Sequence, residues 1–130
     1  MIASYGAAAA SLAGLVLSIY LTIAPTPQFC EITSFMSCDR VLSSPYAKVM
    51  GVPTALYGAG WFAAASTAAF LSSEKRWAAR FLVAWSLLGI LGIAALIYVE
   101  LVLINALCIL CTAAHVLGLA VAILTFFINR

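Results

Sequence analysis

The apolar positions of the chain fall into long windows separated by a few polar segments. The first window covers residues 4–24 without a charge and is followed by Pro25 and Pro27, which cannot continue a helix. The second covers residues 52–71 and begins with Pro53, a residue favoured in the first helical turn. A hydrocarbon core about 30 Å thick needs roughly 20 apolar residues per helix, so each window predicts one membrane-spanning helix.

A third apolar stretch covers residues 81–128 and is interrupted only by Glu100, Asn105, His115 and a few hydroxyl side chains. It is too long for one span and fits two helices of about 20 residues each, joined by a short turn near residues 101–105. We therefore expect residues 1–130 to form a single domain. Its spans are expected at about 4–24, 52–71, 79–100 and 106–128, with an outer loop at 25–51.

The basic residues predict the orientation of these four spans. Lys75, Arg76 and Arg80 lie between the second and third spans, and Arg130 follows the fourth. With four crossings, all of them are on one side, which is cytoplasmic by the positive-inside rule. Both termini are then cytoplasmic, and the loop at 25–51 is extracytoplasmic.

Composition agrees with this interpretation. The chain is 66% apolar and 8% charged, with a mean hydropathy of +1.18, whereas soluble domains are about 45 to 50% apolar. Six basic and four acidic residues are too few and too scattered for a nucleic-acid surface. The sequence therefore predicts an all-α, four-helix transmembrane bundle in contact with the lipid bilayer, and no nucleic-acid partner.

An N-terminal apolar stretch can also be a cleaved signal peptide. Here no basic residue precedes Ser4, and the stretch is longer than a typical apolar signal segment. Its removal would leave three spans, with the termini on opposite sides of the membrane. We therefore expect it to be retained as the first span.

The four cysteines form two pairs of unlike spacing on the predicted extracytoplasmic side. Cys30 and Cys38 lie in the outer loop, and Cys108 and Cys111 form a C-x-x-C motif at the start of the fourth span. Disulfides are permitted in that compartment, so two structural bridges are one interpretation. Structural zinc is another, but the loop pair is too widely spaced for a typical zinc knuckle. We expect no metal site.

Redox chemistry is the third interpretation of the cysteines. A C-x-x-C pair closes only a very short loop, so it stabilises the fold little. The first turn of a helix favours the thiolates that perform disulfide exchange. Ile109 and Leu110 between the two thiols place the pair at the edge of the lipid. A lipid-soluble oxidant can reach such a pair, whereas a soluble protein can reach the loop pair.

These features occur in one order along the chain. The order is Cys30 and Cys38, the run CDRVLSS that starts at Cys38, the run GVPTALYG at residues 51–58, and CILC at residues 108–111. In this order, on four spans, the sequence resembles the vitamin K epoxide reductase family over nearly its whole length. The resemblance implies a four-helix transmembrane bundle with a quinone pocket on the outer side. A loop and a short half-helix around Val41 to Met50 would cap that pocket.

The resemblance also implies an electron relay through the cysteines. Cys30 and Cys38 would exchange with a separate thioredoxin-fold (DsbA-like) protein. Cys38 would then pass electrons to Cys108 through a mixed disulfide, and Cys111 would engage the quinone. The substrate would be a membrane quinone of the menaquinone, ubiquinone or vitamin K type.

Two positions depart from the animal pattern of the family, in which an Asn matches Thr54 and a Tyr matches His115. Both replacements can donate a hydrogen bond, so the departures leave open the preferred quinone and any activity on an epoxide. His115 lies four residues after Cys111 and shares its helix face. An ionisable residue inside a span usually marks function, and we expect His115 to hydrogen-bond or protonate the quinone.

Three further residues are candidates for the quinone pocket. Tyr46 and Tyr57 would form its walls, although aromatic residues at span ends also serve as interface anchors. Ser44 would contact the quinone or order the half-helix, and it could equally be a simple N-cap before Pro45.

The sequence thus predicts a membrane thiol:quinone oxidoreductase that supports disulfide-bond formation, in a prokaryotic cell membrane. A vitamin K quinone or epoxide reductase of the endoplasmic reticulum is the nearest alternative. A small four-span transporter would need an ionisable residue deep in a span, whereas Glu100 is expected to reach out to the outer interface. A purely structural four-span protein with two disulfides is the remaining option.

Overall fold

The computed structural model of the protein describes residues 2–23, 48–49, 51–104 and 109–129. These residues form helices α1 (Ile2–Ile23), α2 (Thr54–Leu71), α3 (Arg76–Tyr98) and α4 (Ile109–Ile128), with a π-helical segment, Val99–Ile104, directly after α3. Two strands of two residues each, β1 (Lys48–Val49) and β2 (Val52–Pro53), precede α2. The predicted all-α, four-helix bundle is confirmed.

The two short strands form an antiparallel hairpin in which Lys48 pairs with Pro53 and Val49 with Val52. Gly51 in the turn has a φ of 81°, a left-handed conformation that glycine adopts without strain. Of the half-helix expected around Val41 to Met50, Lys48 and Val49 are therefore in extended backbone. The rest of that segment lies outside the described residues.

The four helices run antiparallel to their neighbours. At one end of the bundle, the Ser72 hydroxyl after α2 donates a hydrogen bond to the Ser4 hydroxyl at the start of α1 (3.0 Å). At the same end, Asn129 Nδ2 after α4 donates to the Ala79 carbonyl of α3 (3.1 Å). Helices α1 and α3 each pack against both α2 and α4. The chain therefore goes up and down around a ring, α1–α2–α3–α4.

Small side chains fill the centre of the bundle. Ala7, Ala65, Ala69 and Ala78 are completely buried. A methyl group at Gly14 of α1 would overlap the Phe62 ring of α2. Helices in lipid associate through such small residues, because close approach of the backbones maximises van der Waals contact.

Large apolar side chains cover the outside of the bundle, among them Leu12, Leu87, Leu91 and Phe126. Three helical stretches, α1, α3 with its π-helical segment, and α4, are long and apolar enough to cross a membrane. The protein is therefore an integral membrane protein. Helix α2 is richer in alanine, glycine and hydroxyl side chains and packs between α1 and α3.

The third helix is longer than the sequence predicted. A turn was expected near residues 101–105, but the helix continues through Val99–Ile104 as a π-helix. This segment contains no glycine or proline, so nothing in it ends a helix. The extension changes the surroundings of Glu100.

Candidate functional site

A cavity of about 660 Å³ opens between the helices, at the end of the bundle where α1 and α3 finish and α2 and α4 begin. All four helices line it, mostly with apolar side chains. Its volume is within the range of about 300 to 1,000 Å³ that is typical of small-molecule sites. The polar groups of its lining are Ser18, Thr22, Thr54, Tyr57, Trp61, Glu100, Cys111 and His115.

Helix α4 contributes the sulfur and the imidazole of this cavity. Cys111 lies in the first turn of the helix, and His115 follows one turn later. Both line the cavity, as expected for residues four apart on one helix face. Cys111 is half-buried, and His115 is only 9% exposed. The cavity therefore brings a thiol and an imidazole to one wall.

Helix α2 forms another wall. Thr54 is its first residue, immediately after the hairpin, and Tyr57 lies one turn further on. Both line the cavity together with Cys111 and His115. The structure thus brings together four of the residues that the sequence singled out. The other five, Cys30, Cys38, Ser44, Tyr46 and Cys108, lie outside the described residues.

Two tryptophans join α2 to α3 beside the cavity. Trp61 Nε1 donates a hydrogen bond to the Trp85 carbonyl (3.0 Å), and Trp85 Nε1 donates to the Trp61 carbonyl (2.9 Å). The indole rings are stacked, with centroids 6.4 Å apart and an interplanar angle of 9°. These reciprocal bonds hold Trp61 as a fixed part of the cavity wall.

Among the lining residues that sequence reasoning missed, which also include Ser18, Thr22 and Trp61, Glu100 is the ionisable one. It was expected to extend to the outer interface, but its side chain is 4% exposed and lines the cavity. The expectation was wrong because the chain does not turn there but continues as a π-helix within the bundle. The signal was present in the sequence, since Glu100 is the only acidic residue between positions 81 and 128, and ionisable residues within spans tend to be functional.

Within the described part of the chain, no group of three or more His, Cys, Asp or Glu side chains is arranged to hold a metal ion. The described lining residues supply a thiol, an imidazole, a carboxyl and several hydroxyl groups.

Comparison with known proteins agrees with the resemblance seen in the sequence. No curated protein matched the chain. The model of the vitamin K epoxide reductase family matches residues 6–126, a range that starts in α1, ends in α4 and contains every cavity residue named above. The chain therefore belongs to the vitamin K epoxide reductase family.

Proposed function

We propose that the protein is a membrane thiol:quinone oxidoreductase that reduces a quinone bound in the cavity between the four helices. Membership of the family supports an oxidoreductase acting on quinones and thiols. The observation that carries the proposal is the position of Cys111, because it places a redox-capable sulfur in the wall of a largely apolar cavity. A quinone ring is flat and apolar apart from two oxygens, and it suits such a site.

The proposed reaction balances with the cysteines of this chain. Oxidation of the Cys108 and Cys111 thiols to a disulfide releases two electrons and two protons, and a quinone takes up both to become a quinol. Exchange with Cys30 and Cys38 through a mixed disulfide would restore the dithiol. A separate thioredoxin-fold protein would supply electrons to the loop pair and leave with a new disulfide.

The remaining polar groups of the cavity would orient the quinone. Thr54 and His115 lie on different helices and can each donate a hydrogen bond, so they suit the two oxygens of a quinone. Tyr57 would form a wall of the pocket. Ser44 and Tyr46 are proposed to complete the pocket from the loop side.

The proposed membrane arrangement has four crossings, cytoplasmic termini and extracytoplasmic cysteines. The antiparallel packing of α2 between α1 and α3 supports a fourth crossing, because both neighbours are long and apolar enough to span. Lys75, Arg76 and Arg80 would then face the cytoplasm. We propose a prokaryotic cell membrane as the location.

Capture of Cys111 by a reactive quinone tests the proposal. Menadione has an unsubstituted ring carbon that thiols add to, so it should form a covalent adduct with Cys111 in a reduced Cys108→Ser variant. If the cavity binds quinones, excess long-chain menaquinone or ubiquinone should slow this modification several-fold. Peptide mass spectrometry gives the rate at each cysteine.

The loop cysteines provide the internal control for this experiment. Modification of Cys30 and Cys38 should not respond to the competing quinone, because these residues are proposed to meet a protein rather than a lipid. Equal rates at Cys111 with and without either competitor would contradict quinone binding in the cavity.

A further inference from the structure

The carboxyl group of Glu100 is buried, and its burial costs free energy. It is 4% exposed, in a helical stretch long and apolar enough to cross a membrane. Transfer of a carboxyl group away from water is unfavourable, and acidic residues within spans are rare and tend to face a cavity or pathway. Leucine would pack there without this cost, so the carboxyl is a candidate for a chemical role.

The local backbone turns this residue towards the cavity. Glu100 lies in the π-helical segment Val99–Ile104, and it is the buried residue of that segment. Leu101, Val102 and Leu103, which follow it, are exposed on the outside of the bundle. Single π-helical turns occur frequently at functional sites, and this one places the carboxyl on the cavity side.

The other titratable groups of the cavity limit which residues can carry protons. Among the described lining residues, α2 contributes Tyr57, α4 contributes Cys111 and His115, and α1 contributes only the hydroxyls of Ser18 and Thr22. A carboxyl and an imidazole exchange protons near neutral pH much more readily than a phenol does. Two such groups, Glu100 and His115, therefore line the cavity, and reduction of a quinone requires protons at two oxygens.

We propose that Glu100 is a catalytic proton-transfer residue of the quinone site, an inference that rests on the proposed function. Its carboxylate accepts the proton that leaves the Cys111 thiol and then donates it to one quinone oxygen. His115 donates a proton to the other quinone oxygen and regains one from the Cys108 thiol. Overall, two S–H bonds break, one S–S bond and two O–H bonds form, and two electrons pass from the dithiol to the quinone. No further reactant is needed.

Single-turnover reduction of decylubiquinone by the pre-reduced protein tests this role, because it needs no partner protein. General acid–base catalysis contributes about 10²- to 10⁴-fold, so Glu100→Gln should slow the reaction by about 10²-fold or more. The quinone concentration giving half-maximal rate should change little. Glu100→Asp should recover much of the rate, and Glu74→Gln, at an exposed acid in the α2–α3 link, should match wild type.

The pH dependence of the rate distinguishes a role of Glu100 in proton transfer from a role in packing. A pH-dependent limb of the wild-type rate should be absent in Glu100→Gln, because the amide cannot accept and donate the proton. If Glu100→Gln does not fold, infrared difference spectra of wild type with isotope-labelled glutamate provide the second readout. A carboxyl band should then change during turnover.

Three results would overturn the inference while leaving the proposed function intact. The first is a rate of quinone reduction in Glu100→Gln close to that of wild type at every pH. The second is an equally slow rate in Glu100→Gln and Glu100→Asp, with the pH-dependent limb retained. The third is a carboxyl band that does not change during turnover. Failure of the wild-type protein to reduce the quinone would instead contradict the proposed function, and this inference with it.

Discussion

At the scale of single residues, the cavity places polar and ionisable groups from several helices around the Cys111 thiol. Cys111 and His115 come from α4, Thr54 and Tyr57 from α2, and Glu100 from the segment after α3. His115 is only 9% exposed. Burial of an ionisable side chain in a membrane-embedded bundle is costly, and such residues tend to be functional. Its place one turn from Cys111 supports the proposed hydrogen bond from His115 to the quinone.

Replacement of His115 tests its contact with the quinone. His115→Phe keeps a planar ring but removes the hydrogen-bond donor, and a net hydrogen bond contributes about 0.5 to 1.5 kcal/mol. We expect kcat/KM for quinone reduction to fall by up to about tenfold. His115→Gln, which retains an N–H donor, should lose less. Unchanged rate and affinity in His115→Phe would exclude the contact.

The sequence predicted part of this constellation and missed the rest for a physical reason. His115 and Cys111 are four apart on one helix, so their shared face follows from helical periodicity alone. Thr54 and Tyr57 were identified only through the family resemblance, since their meeting with α4 depends on tertiary packing. The side that Glu100 faces depends on whether the helix ends before or after it, and apolar periodicity locates helix ends poorly.

At the scale of elements, the contact between α2 and α3 shapes the cavity. The reciprocal indole hydrogen bonds of Trp61 and Trp85 join the two helices, and Gly89 of α3 lies against the Trp61 ring. A methyl group at Gly89 would overlap that ring, whereas one at Gly92 would meet no other atom within 4 Å. The two glycines therefore provide a test position, Gly89, and a control position, Gly92, on the same helix.

Substitution of these glycines by alanine tests the contact. Gly89→Ala should destabilise the bundle, because overpacking a close contact costs about 1 to 3 kcal/mol. It should also weaken quinone binding, since Trp61 is part of the cavity wall. Gly92→Ala adds the same methyl group in open space and should leave the melting temperature unchanged or raise it. Thermal unfolding in detergent compares the two, and equal melting temperatures would contradict the packing.

The apolar windows located the helices well and their ends less well. The window at residues 52–71 predicted α2, but the helix begins at Thr54 because Val52 and Pro53 form a strand of the hairpin. A proline that suits a first helical turn also suits the end of a short strand. Pairing with residues 48–49 favours the strand, and Gly51 in the turn was the local signal for this hairpin.

At the scale of the whole molecule, the antiparallel ring of helices places the cavity at one end of the bundle. Serine and asparagine hydrogen bonds join the helices at the opposite end, where the basic residues Lys75, Arg76 and Arg80 also lie. The cavity, Cys111 and Glu100 are at the other end. Burial of Glu100 removes the edge position that argued against a transporter, and membership of an oxidoreductase family now favours the enzyme.

Electron flow through the whole protein tests most directly the claim that Cys111 delivers electrons to a quinone in the cavity. The protein is placed in liposomes with ubiquinone or menaquinone, a reduced thioredoxin-fold protein is added, and quinone absorbance is followed. We predict that wild type and the control Ser73→Ala reduce one quinone for each partner dithiol oxidised, and that Cys111→Ala reduces none. Full reduction of the quinone by Cys111→Ala, or no reduction by wild type, would contradict this role of Cys111.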